Sequence, residues 1–343
     1  MKDIIRVALI GFGGIARFHN AAYKALAQKG VPIELVAVCD RNIEQFTREV
    51  SINTGSGDSL LPAGVHTYTD VDEMLANEDF DMADICLPSF LHKDFAVKLL
   101  SAGKHVFCEK PMALSPEDAE EMLCAAKAAD RRLMIGLCLH FTPAYQFLGD
   151  AIRDGRYGKL EYVRLWRNST FPSWGVGDHF TNRKKSGGLI LDMHVHDVDI
   201  VHHLLGEPSS LDVLTYDNLP HCQTVTTMMY YPSLPVKIDS CWDKAHLSGF
   251  EAGFDAKFER AALLCDKDGE KLTLIPYDGE PAAVELPATD CYEEELGYMA
   301  DLILHPDKKN VLADPEETAK TTRLMADIQR LGDERAATFG YHR

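Results

Sequence analysis

The sequence predicts an α/β protein in two parts: a doubly wound parallel sheet over residues 1–140, and an α+β domain with a large, mostly antiparallel sheet over 141–343. The first 140 residues alternate short apolar runs with helical patterns, which is typical of a parallel sheet covered by helices on both faces. The later part has strand-like runs that follow one another without helices between them, which favours antiparallel pairing. A length of 343 residues is sufficient for two such domains.

The elements of the first part follow from apolar periodicity. Short continuous apolar runs predict buried strands, and apolar residues that recur every three or four positions predict helices. A segment rich in glycine and serine, 51–64, is expected to form a flexible loop. The predicted strands are 4–10, 33–39, 82–87, 105–108 and 133–139, and the predicted helices are 15–28, 43–50, 90–102 and 116–130.

The elements of the second part follow from the same rules. Alternating and β-branched runs predict strands, separated by turn residues such as those of "YYPSLP". Helical periodicity appears near its beginning and again at its end, where two helices are expected to close the chain. The predicted strands are 160–167, 209–216, 224–231, 236–242, 254–259, 261–265 and 271–275, and the predicted helices are 144–154, 188–205, 291–304 and 315–331.

Composition argues against several classes of protein. The net charge is −18 and the one short basic cluster is 182–185, so a nucleic-acid partner is not expected. No apolar run is long enough to span a bilayer, and the N-terminal apolar run leads into a glycine turn rather than a cleavage site. Nine cysteines are scattered without a CxxC pair, as in a reducing compartment. We therefore expect a cytoplasmic protein with no membrane partner.

A glycine turn after the first predicted strand predicts a dinucleotide site. Gly11, Gly13 and Ala16 form G-x-G-x-x-A: the first glycine permits the tight turn, the second admits a pyrophosphate, and the small third residue lets the helix pack on the strand. Amide groups at the start of the helix then face the anion. The residues expected to line the cofactor here are Gly11, Phe12, Gly13, Gly14, Ile15 and Ala16.

The end of the second predicted strand indicates which dinucleotide binds. Asp40 follows this strand, where a carboxylate accepts hydrogen bonds from the ribose hydroxyls of NAD. The same carboxylate repels a 2′-phosphate, whereas Arg41 beside it would attract one. We therefore predict NAD as the cofactor, with NADP possible.

Two further stretches contain candidate catalytic residues. Glu109 and Lys110 follow the strand 105–108 directly, at the end of a parallel strand where ligands bind. The stretch "LDMHVHDVDIVHH", 191–203, is rich in histidine and aspartate, and it is open to a metal-site or a proton-transfer interpretation. Read as a helix, it places Asp192 one turn before His196, so that the carboxylate raises the basicity of the imidazole. His194, His202 and His203 are then bystanders, and no metal is expected.

Taken together, these features resemble the Gfo/Idh/MocA family of glucose–fructose oxidoreductases and inositol dehydrogenases. The resemblance is carried by "GFGGIA", "DICLPSFLH", "GKHVFCEKPMALSPEDAEEM" and "GGLILDMHVHDVDIVHHLLGEP". It implies a Rossmann domain followed by an α+β domain with an open-faced sheet, through which a homodimer or homotetramer forms. It also implies that the cofactor contacts the loops after the later strands, namely Leu87, Pro88, His92, Glu109 and Lys110.

The resemblance also assigns roles to the catalytic candidates. It implies that Lys110 binds the substrate hydroxyl and stabilises the developing alkoxide, while His196, assisted by Asp192, takes the proton. Which of Lys110 and His196 is the primary base stays open. His140 stands where many members have an arginine, so this chain lacks that arginine's contact or replaces it with one from His140. The substrate-binding residues expected are Lys110, His140, Arg167, Trp174, His179, Asp192 and His196, where the segment 166–187 covers a sugar.

The predicted function is therefore an NAD(P)-dependent dehydrogenase or reductase acting on a secondary alcohol of a sugar, cyclitol or sugar derivative. Two alternatives belong to other classes: a non-catalytic regulator that senses a dinucleotide, and a metal-dependent hydrolase that uses His194 and His196. A sensor would not require the proton-transfer residues. A hydrolase would retain about one equivalent of metal per chain, as structural and catalytic zinc sites do.

Overall fold

The structure, a computed structural model, describes residues 4–175, 177–218, 222–243, 249–266, 269 and 271–339. It divides into two compact units. The first comprises the described residues up to Cys138 together with Asp290–Thr322, and the second comprises Leu139–Thr289 and the described residues from Arg323 onward. The division near residue 140 lies close to the predicted one, but the prediction placed all of 141–343 in the second domain. Asp290–Thr322 belongs to the first unit because the helix Cys291–Leu304 packs against Gly14–Gln28.

The secondary structure follows the predicted alternation. The strands are β1 Ile5–Ile10, β2 Ile33–Cys39, β3 Ser51–Ile52, β4 Gly55–Ser56, β5 His66–Tyr68, β6 Met82–Ile85, β7 His105–Glu109, β8 Leu133–Gly136, β9 Leu160–Ser169, β10 Ser210–Asn218, β11 Cys222–Tyr231, β12 Leu234–Asp243, β13 Phe250–Phe258, β14 Ala261–Cys265, β15 Leu272–Pro276 and β16 Ala282–Val284. The helices are α1 Gly14–Gln28, α2 Val71–Asn77, α3 His92–Ser101, α4 Pro116–Ala129, α5 Pro143–Asp154, α6 Arg183–Ser186, α7 Val195–Leu205, α8 Cys291–Leu304 and α9 Pro315–Phe339.

The first unit contains a six-stranded parallel sheet in the order β5-β2-β1-β6-β7-β8. Its central strands are buried on both faces, which explains why they appear in the sequence as continuous apolar runs. The strand order reverses between β1 and β6, and ligands of such sheets bind outside the carboxyl ends of the strands at that point. Gly11, Leu87 and Lys110 follow β1, β6 and β7 at this edge. The predicted Rossmann architecture is confirmed.

The segment 51–64, expected to be a flexible loop, is tied to α1. Its first part forms the β3–β4 hairpin. The Asn20 side chain donates to the Asp58 carbonyl at 2.8 Å, and the Arg17 Nε donates to the Ser59 hydroxyl at 2.8 Å. Gly57 lies so close to α1 that a Cβ would be 2.4 Å from the Arg17 carbonyl carbon. The segment is therefore part hairpin and packs against α1, with glycine and serine at the points of close approach, while its flexibility stays a prediction.

Other local predictions fail where the sequence signal is short. The predicted helix 43–50 is a single 3-10 turn, Ile43–Phe46, and the final helix continues past residue 331 to Phe339. Four short strands and two short helices were not predicted because each has too few residues to show a period. These elements are β3, β4, β5, β16, α2 and α6.

The second unit contains an eight-stranded sheet in the order β10-β11-β12-β9-β13-β14-β15-β16. All neighbouring pairs are antiparallel except β9 and β12, which are parallel. The mostly antiparallel sheet is confirmed. In β9 and β11 buried residues alternate with more exposed ones, as expected of a sheet covered on one face. Among the described residues, none of the helices has the length and hydropathy needed to cross a bilayer.

Candidate functional site

The glycine turn after β1 has the shape of a pyrophosphate site. Gly11 has φ +89°, and a Cβ there would be 2.6 Å from the Cys86 carbonyl oxygen, so only glycine fits. A Cβ on Gly13 would meet nothing within 4 Å, which leaves open space at the start of α1. Gly13 provides no side-chain cap for this helix, so its first amide groups are available to an anion. The turn therefore fits a dinucleotide.

Asp40, predicted to bind ribose, also holds the glycine turn. Its Oδ2 accepts the Phe12 backbone N–H at 2.8 Å, and its Oδ1 accepts the Asn42 N–H at 2.8 Å. The carboxylate is half-buried, whereas Arg41 beside it is exposed. Asp40 thus fixes the backbone of the turn at the end of β2 and keeps a negative charge there.

Arg17 supports the same turn and was not predicted. Its guanidinium is buried and donates to the backbone carbonyls of Phe12 at 2.5 Å and Gly13 at 2.6 Å. It also donates to the Gln45 and Arg48 carbonyls at 3.0 and 2.6 Å. Burial lowers the pKa of Arg17, and the neighbouring Asp40 carboxylate opposes part of this effect. An arginine in the first turns of a helix gives no sequence signal of this role, since its acceptors are backbone atoms.

Lys110 follows β7 and is half-exposed, whereas Glu109 before it is buried. The Glu109 Oε2 accepts the Lys110 backbone N–H at 3.1 Å. The peptide bond between Lys110 and Pro111 is cis. The buried Glu109 carboxylate therefore fixes the backbone amide of Lys110, while the lysine itself is half-exposed.

His92, expected to lie near the nicotinamide, joins the two loops at this edge of the sheet. Its Nδ1 is 2.8 Å from the Pro111 carbonyl oxygen and its Nε2 is 2.8 Å from the Leu87 carbonyl oxygen. The ring is buried, and burial lowers its pKa. Its contacts support a role in holding the turns of Leu87–Pro88 and Lys110–Pro111 rather than direct contact with a ligand.

In the second unit, Asp192 and His196 differ from their neighbours in exposure. From Ser186 to His202 every residue is buried except these two, which are half-exposed. Asp192 lies in a π-helical turn, Ile190–His194, that precedes α7, and such turns occur frequently at functional sites. The predicted helix 188–205 thus begins with a wide turn that leaves two side chains accessible, and they are the predicted proton-transfer pair.

The neighbouring His194 is a buried structural residue. Its Nδ1 contacts the Ser240 hydroxyl at 2.8 Å and its Nε2 contacts the Thr227 hydroxyl at 2.9 Å. Burial lowers the pKa of His194 to about 3, so the ring is neutral. Similarly, His202 is buried and lies 3.3 Å from the Glu207 carboxylate. These contacts agree with the bystander interpretation.

The geometry gives no support to a metal centre at His194 and His196. In the described part of the chain, two groups of side chains have ligand atoms close enough to share an ion. Both are in the first unit and centre on His19. They are His19, Asp84 and Cys86, and His19, Glu109 and Glu295.

Arg167, expected to bind substrate, is instead buried against α7. Its Nε and a terminal nitrogen donate to the two carboxylate oxygens of Asp197 at 2.7 and 3.1 Å. Asp197 is fully buried and Arg167 is 6% exposed. Alternation along β9 turns odd-numbered side chains toward the covered face of the sheet, so position 167 points inward. Arg167 thus forms a buried ion pair, and its contact with a sugar stays a prediction.

His140 likewise has a partner inside the second unit. Its Nε2 is 2.5 Å from the Asp199 Oδ2, and its ring lies 4.4 Å from that of His203. The imidazole is buried. In the position of the arginine common in the family, this chain therefore has a histidine that is bonded to α7.

Trp174 and His179, expected to cover a sugar, pack on the same aromatic ring. The ring centroids of Trp174 and His179 lie 4.7 and 4.9 Å from that of Phe180, both edge-on. Phe180 in turn contacts Trp242 of β12. Apart from Val176, which lies outside the described residues, the segment 166–187 is therefore anchored to the sheet by aromatic packing.

Together, the parallel sheet with its glycine turn, the lysine after β7 and the large second sheet define a dinucleotide-binding protein with a Rossmann unit and a second α+β unit. Comparison with known families agrees. Residues 5–137 match the model described as the oxidoreductase family with an NAD-binding Rossmann fold, and residues 145–252 match the GFO/IDH/MocA C-terminal domain. The chain belongs to the Gfo/Idh/MocA family, and its first unit is an NAD-binding domain.

Individual relatives show what this chain is similar to. It is 32% identical to the D-glucoside 3-dehydrogenase of Escherichia coli over 209 residues, 60% of this chain and 55% of the relative. It is 33% identical to the inositol 2-dehydrogenase of Rhizobium meliloti over 203 residues, 59% and 56% of the two chains. The matches thus span about half the length of these relatives. Levoglucosan dehydrogenase in complex with NADH has the same fold, with a TM-score of 0.81 at 18% identity over 96% and 97% of the two chains.

Proposed function

We propose that this protein is an NAD-dependent dehydrogenase or reductase that transfers hydride between the nicotinamide and a secondary alcohol carbon of a sugar, cyclitol or sugar derivative. The observation that carries the proposal is the pair Asp192 and His196, the two accessible side chains of an otherwise buried segment. A sensor of dinucleotides has no need of an accessible acid–base pair. The names of the curated relatives, which are dehydrogenases of glucosides and inositols, support the choice of substrate class.

Each candidate residue has one role in the proposal. Lys110 binds the reacting hydroxyl and stabilises negative charge as it develops on the oxygen. His196 accepts the hydroxyl proton, and Asp192 keeps the imidazole basic. Bound NAD supplies the hydride acceptor. Glu109 and His92 hold the backbone of the Lys110 turn, so their roles are indirect.

The assignment is tested with a panel of aldoses, ketoses, inositols, glycosides and sugar acids, monitored by NADH and NADPH absorbance. We expect turnover with at least one polyhydroxylated compound. Two results would contradict the proposal: NAD binding without turnover on any member, which identifies a sensor, or about one equivalent of zinc retained after dialysis together with hydrolytic activity.

Cofactor preference is expected to follow the charge at Asp40. Replacing Asp40 with serine while Arg41 is retained should shift the NADP/NAD ratio of kcat/KM upward by roughly fivefold, since like-charge repulsion of about 1 kcal/mol is removed. Asp40→Asn is the matched control, because its amide oxygen keeps an acceptor for the Phe12 N–H without the charge. An unchanged ratio in both variants would show that Asp40 does not read the ribose.

We also propose that the protein is a homodimer or homotetramer formed through the sheet of the second unit. Leu214 on β10 and Leu264 on β14 are exposed at 50% and 39%, as expected of apolar residues that a partner covers. Size-exclusion chromatography with light scattering tests this, and a monomer at micromolar concentration would contradict it.

A further inference from the structure

A cluster of buried polar residues in the first unit is not used by the proposed reaction. It comprises His19 of α1, Asp84 of β6, Glu109 of β7 and Glu295 of α8. Three of them are fully buried and Glu109 is 6% exposed. Buried ionisable groups are costly unless they are paired, so the charge of each one has to be accounted for.

His19 is held between two carboxylates. Its Nδ1 is 2.8 Å from the Asp84 Oδ2, and its Nε2 is 3.1 Å from the Glu109 Oε1. Both ring nitrogens thus lie within hydrogen-bonding distance of a carboxyl oxygen, an arrangement that suits an imidazolium, since both of its nitrogens donate. Burial opposes this charge, but Asp84 and Cys86 raise the pKa of His19 well above its usual value. His19 is therefore the group in this cluster that is suited to carry a positive charge.

The cluster reaches Lys110 through Glu109. The carboxylate oxygen of Glu109 that does not face His19 accepts the Lys110 backbone N–H at 3.1 Å. Asp84 is itself held by the Tyr23 hydroxyl, which donates to its Oδ2 at 2.8 Å. A continuous series of hydrogen bonds therefore runs from Asp84 through His19 and Glu109 to the backbone of Lys110.

Glu295 is the unpaired member of the cluster. Neither of its carboxylate oxygens has a hydrogen-bond partner among the described residues, although both are buried. One of these oxygens, a His19 ring nitrogen and a Glu109 oxygen lie within 4.8 Å of one another. An ionised Glu295 would place a third buried carboxylate around one imidazolium.

Among the groups with the largest electrostatic effects on Glu295 in the described part of the chain, His19 is the one that can carry a positive charge. The titratable groups that act on it from the described part of the chain are Cys138 after β8, Glu109, Asp84, and His19 and Tyr23 of α1, with Cys291 and Tyr292 on its own helix. Burial raises the pKa of Glu295 well above its usual value, and the nearby Glu109 carboxylate raises it further.

We propose that Glu295 is a positioning residue kept as the neutral carboxylic acid. A neutral Glu295 leaves the Glu109 carboxylate free of repulsion, so that Glu109 keeps its contacts with His19 and with the Lys110 backbone. The functional half of this inference rests on the proposed role of Lys110. When Glu295 ionises, it repels Glu109 and weakens the support of that turn. Activity should therefore fall at alkaline pH because Glu295 ionises, even though Glu295 does not contact the substrate.

The charge of Glu295 is tested by thermal unfolding of the ligand-free protein between pH 5 and pH 9. A group whose pKa is raised by folding stabilises the protein below its unfolded pKa, about 4.3, and this contribution is lost as pH rises toward the folded pKa. Glutamine takes up no proton. The Tm of Glu295→Gln minus that of the wild type should therefore become more positive by several degrees with rising pH. Glu294→Gln, an exposed neighbour on α8, is the matched control and should show no such slope.

Three results would overturn the proposal that Glu295 is protonated. One is a Tm difference that is negative and constant with pH, which indicates an ionised carboxylate. Another is a stoichiometric divalent metal that is present in the wild type and absent from Glu295→Gln. If that variant does not fold, infrared spectra of the wild type decide: we expect a protonated carboxyl band that persists at pH 8, and its absence contradicts the proposal.

The positioning role is tested separately by the pH profile of kcat/KM. We expect the alkaline loss of activity in the wild type to move to higher pH in Glu295→Gln, while Glu294→Gln keeps the wild-type profile. Identical alkaline limbs in all three proteins would overturn the positioning role. The unfolding experiment needs no substrate, so failure of the proposed function would not be mistaken for failure of this inference.

Discussion

Replacing Lys110 with alanine is expected to lower kcat by roughly 10²–10⁴-fold, the range in which positioned acid–base and charge-stabilising groups contribute. His196→Ala should show a loss of the same order. The Kd for NAD should change little in both variants, because the glycine turn and Asp40 are untouched. Steady-state kinetics and NAD titration by fluorescence measure the two quantities.

Controls of the same residue type separate catalysis from general damage. His203 lies on the same helix as His196 but is exposed, and Lys98 is an exposed lysine on α3. Alanine at either position should leave kcat within about twofold of the wild type, since surface substitutions usually have small effects. A loss of NAD affinity in Lys110→Ala, with turnover preserved at saturating NAD, would contradict the assigned role.

Removing the Arg167 guanidinium should cost the second unit about 3–5 kcal/mol of unfolding free energy, because it leaves Asp197 buried without its bidentate partner. Arg167→Met is the appropriate change, since methionine retains most of the volume. Urea unfolding monitored by tryptophan fluorescence measures it, because Trp166, Trp174 and Trp242 all lie in this unit.

Arg164 on the same strand provides the matched control. Arg164 is exposed, and its Nε lies 3.4 Å from the Asp239 Oδ2. Arg164→Met should therefore cost less than about 1 kcal/mol, the usual range for surface ion pairs. Equal losses in the two variants would show that the Arg167–Asp197 pair contributes no more than a surface contact.

The sequence predicted those parts of the fold that depend on neighbouring residues. The strand β1, the glycine turn at Gly11 and the helix α1 form a local unit, in which apolar periodicity and glycine spacing report directly on structure. Asp192 and His196 are also a local feature, since they lie one helical turn apart, and the structure leaves both of them half-exposed. Family resemblance then assigned a function to residues whose spacing alone was open to a metal site.

The buried pairs could not be predicted because their partners are distant in the chain. Arg167 and Asp197 are 30 positions apart, His140 and Asp199 are 59 apart, and His19 and Glu109 are 90 apart. A sequence shows that such residues are polar but not that folding brings them together. Arg167 and His140 were therefore assigned to a substrate, whereas the structure places both against α7.

Isotope labelling tests whether hydride passes from a substrate carbon to NAD. The most active compound of the panel is prepared with deuterium on the carbon that carries the reacting hydroxyl, and the NADH formed is examined by mass spectrometry. We predict one deuterium in the NADH made by the wild type. In Lys110→Ala the rate of labelled NADH formation should be lower by a factor of roughly 10² or more. NADH without deuterium, or equal rates in the two proteins, would contradict the account.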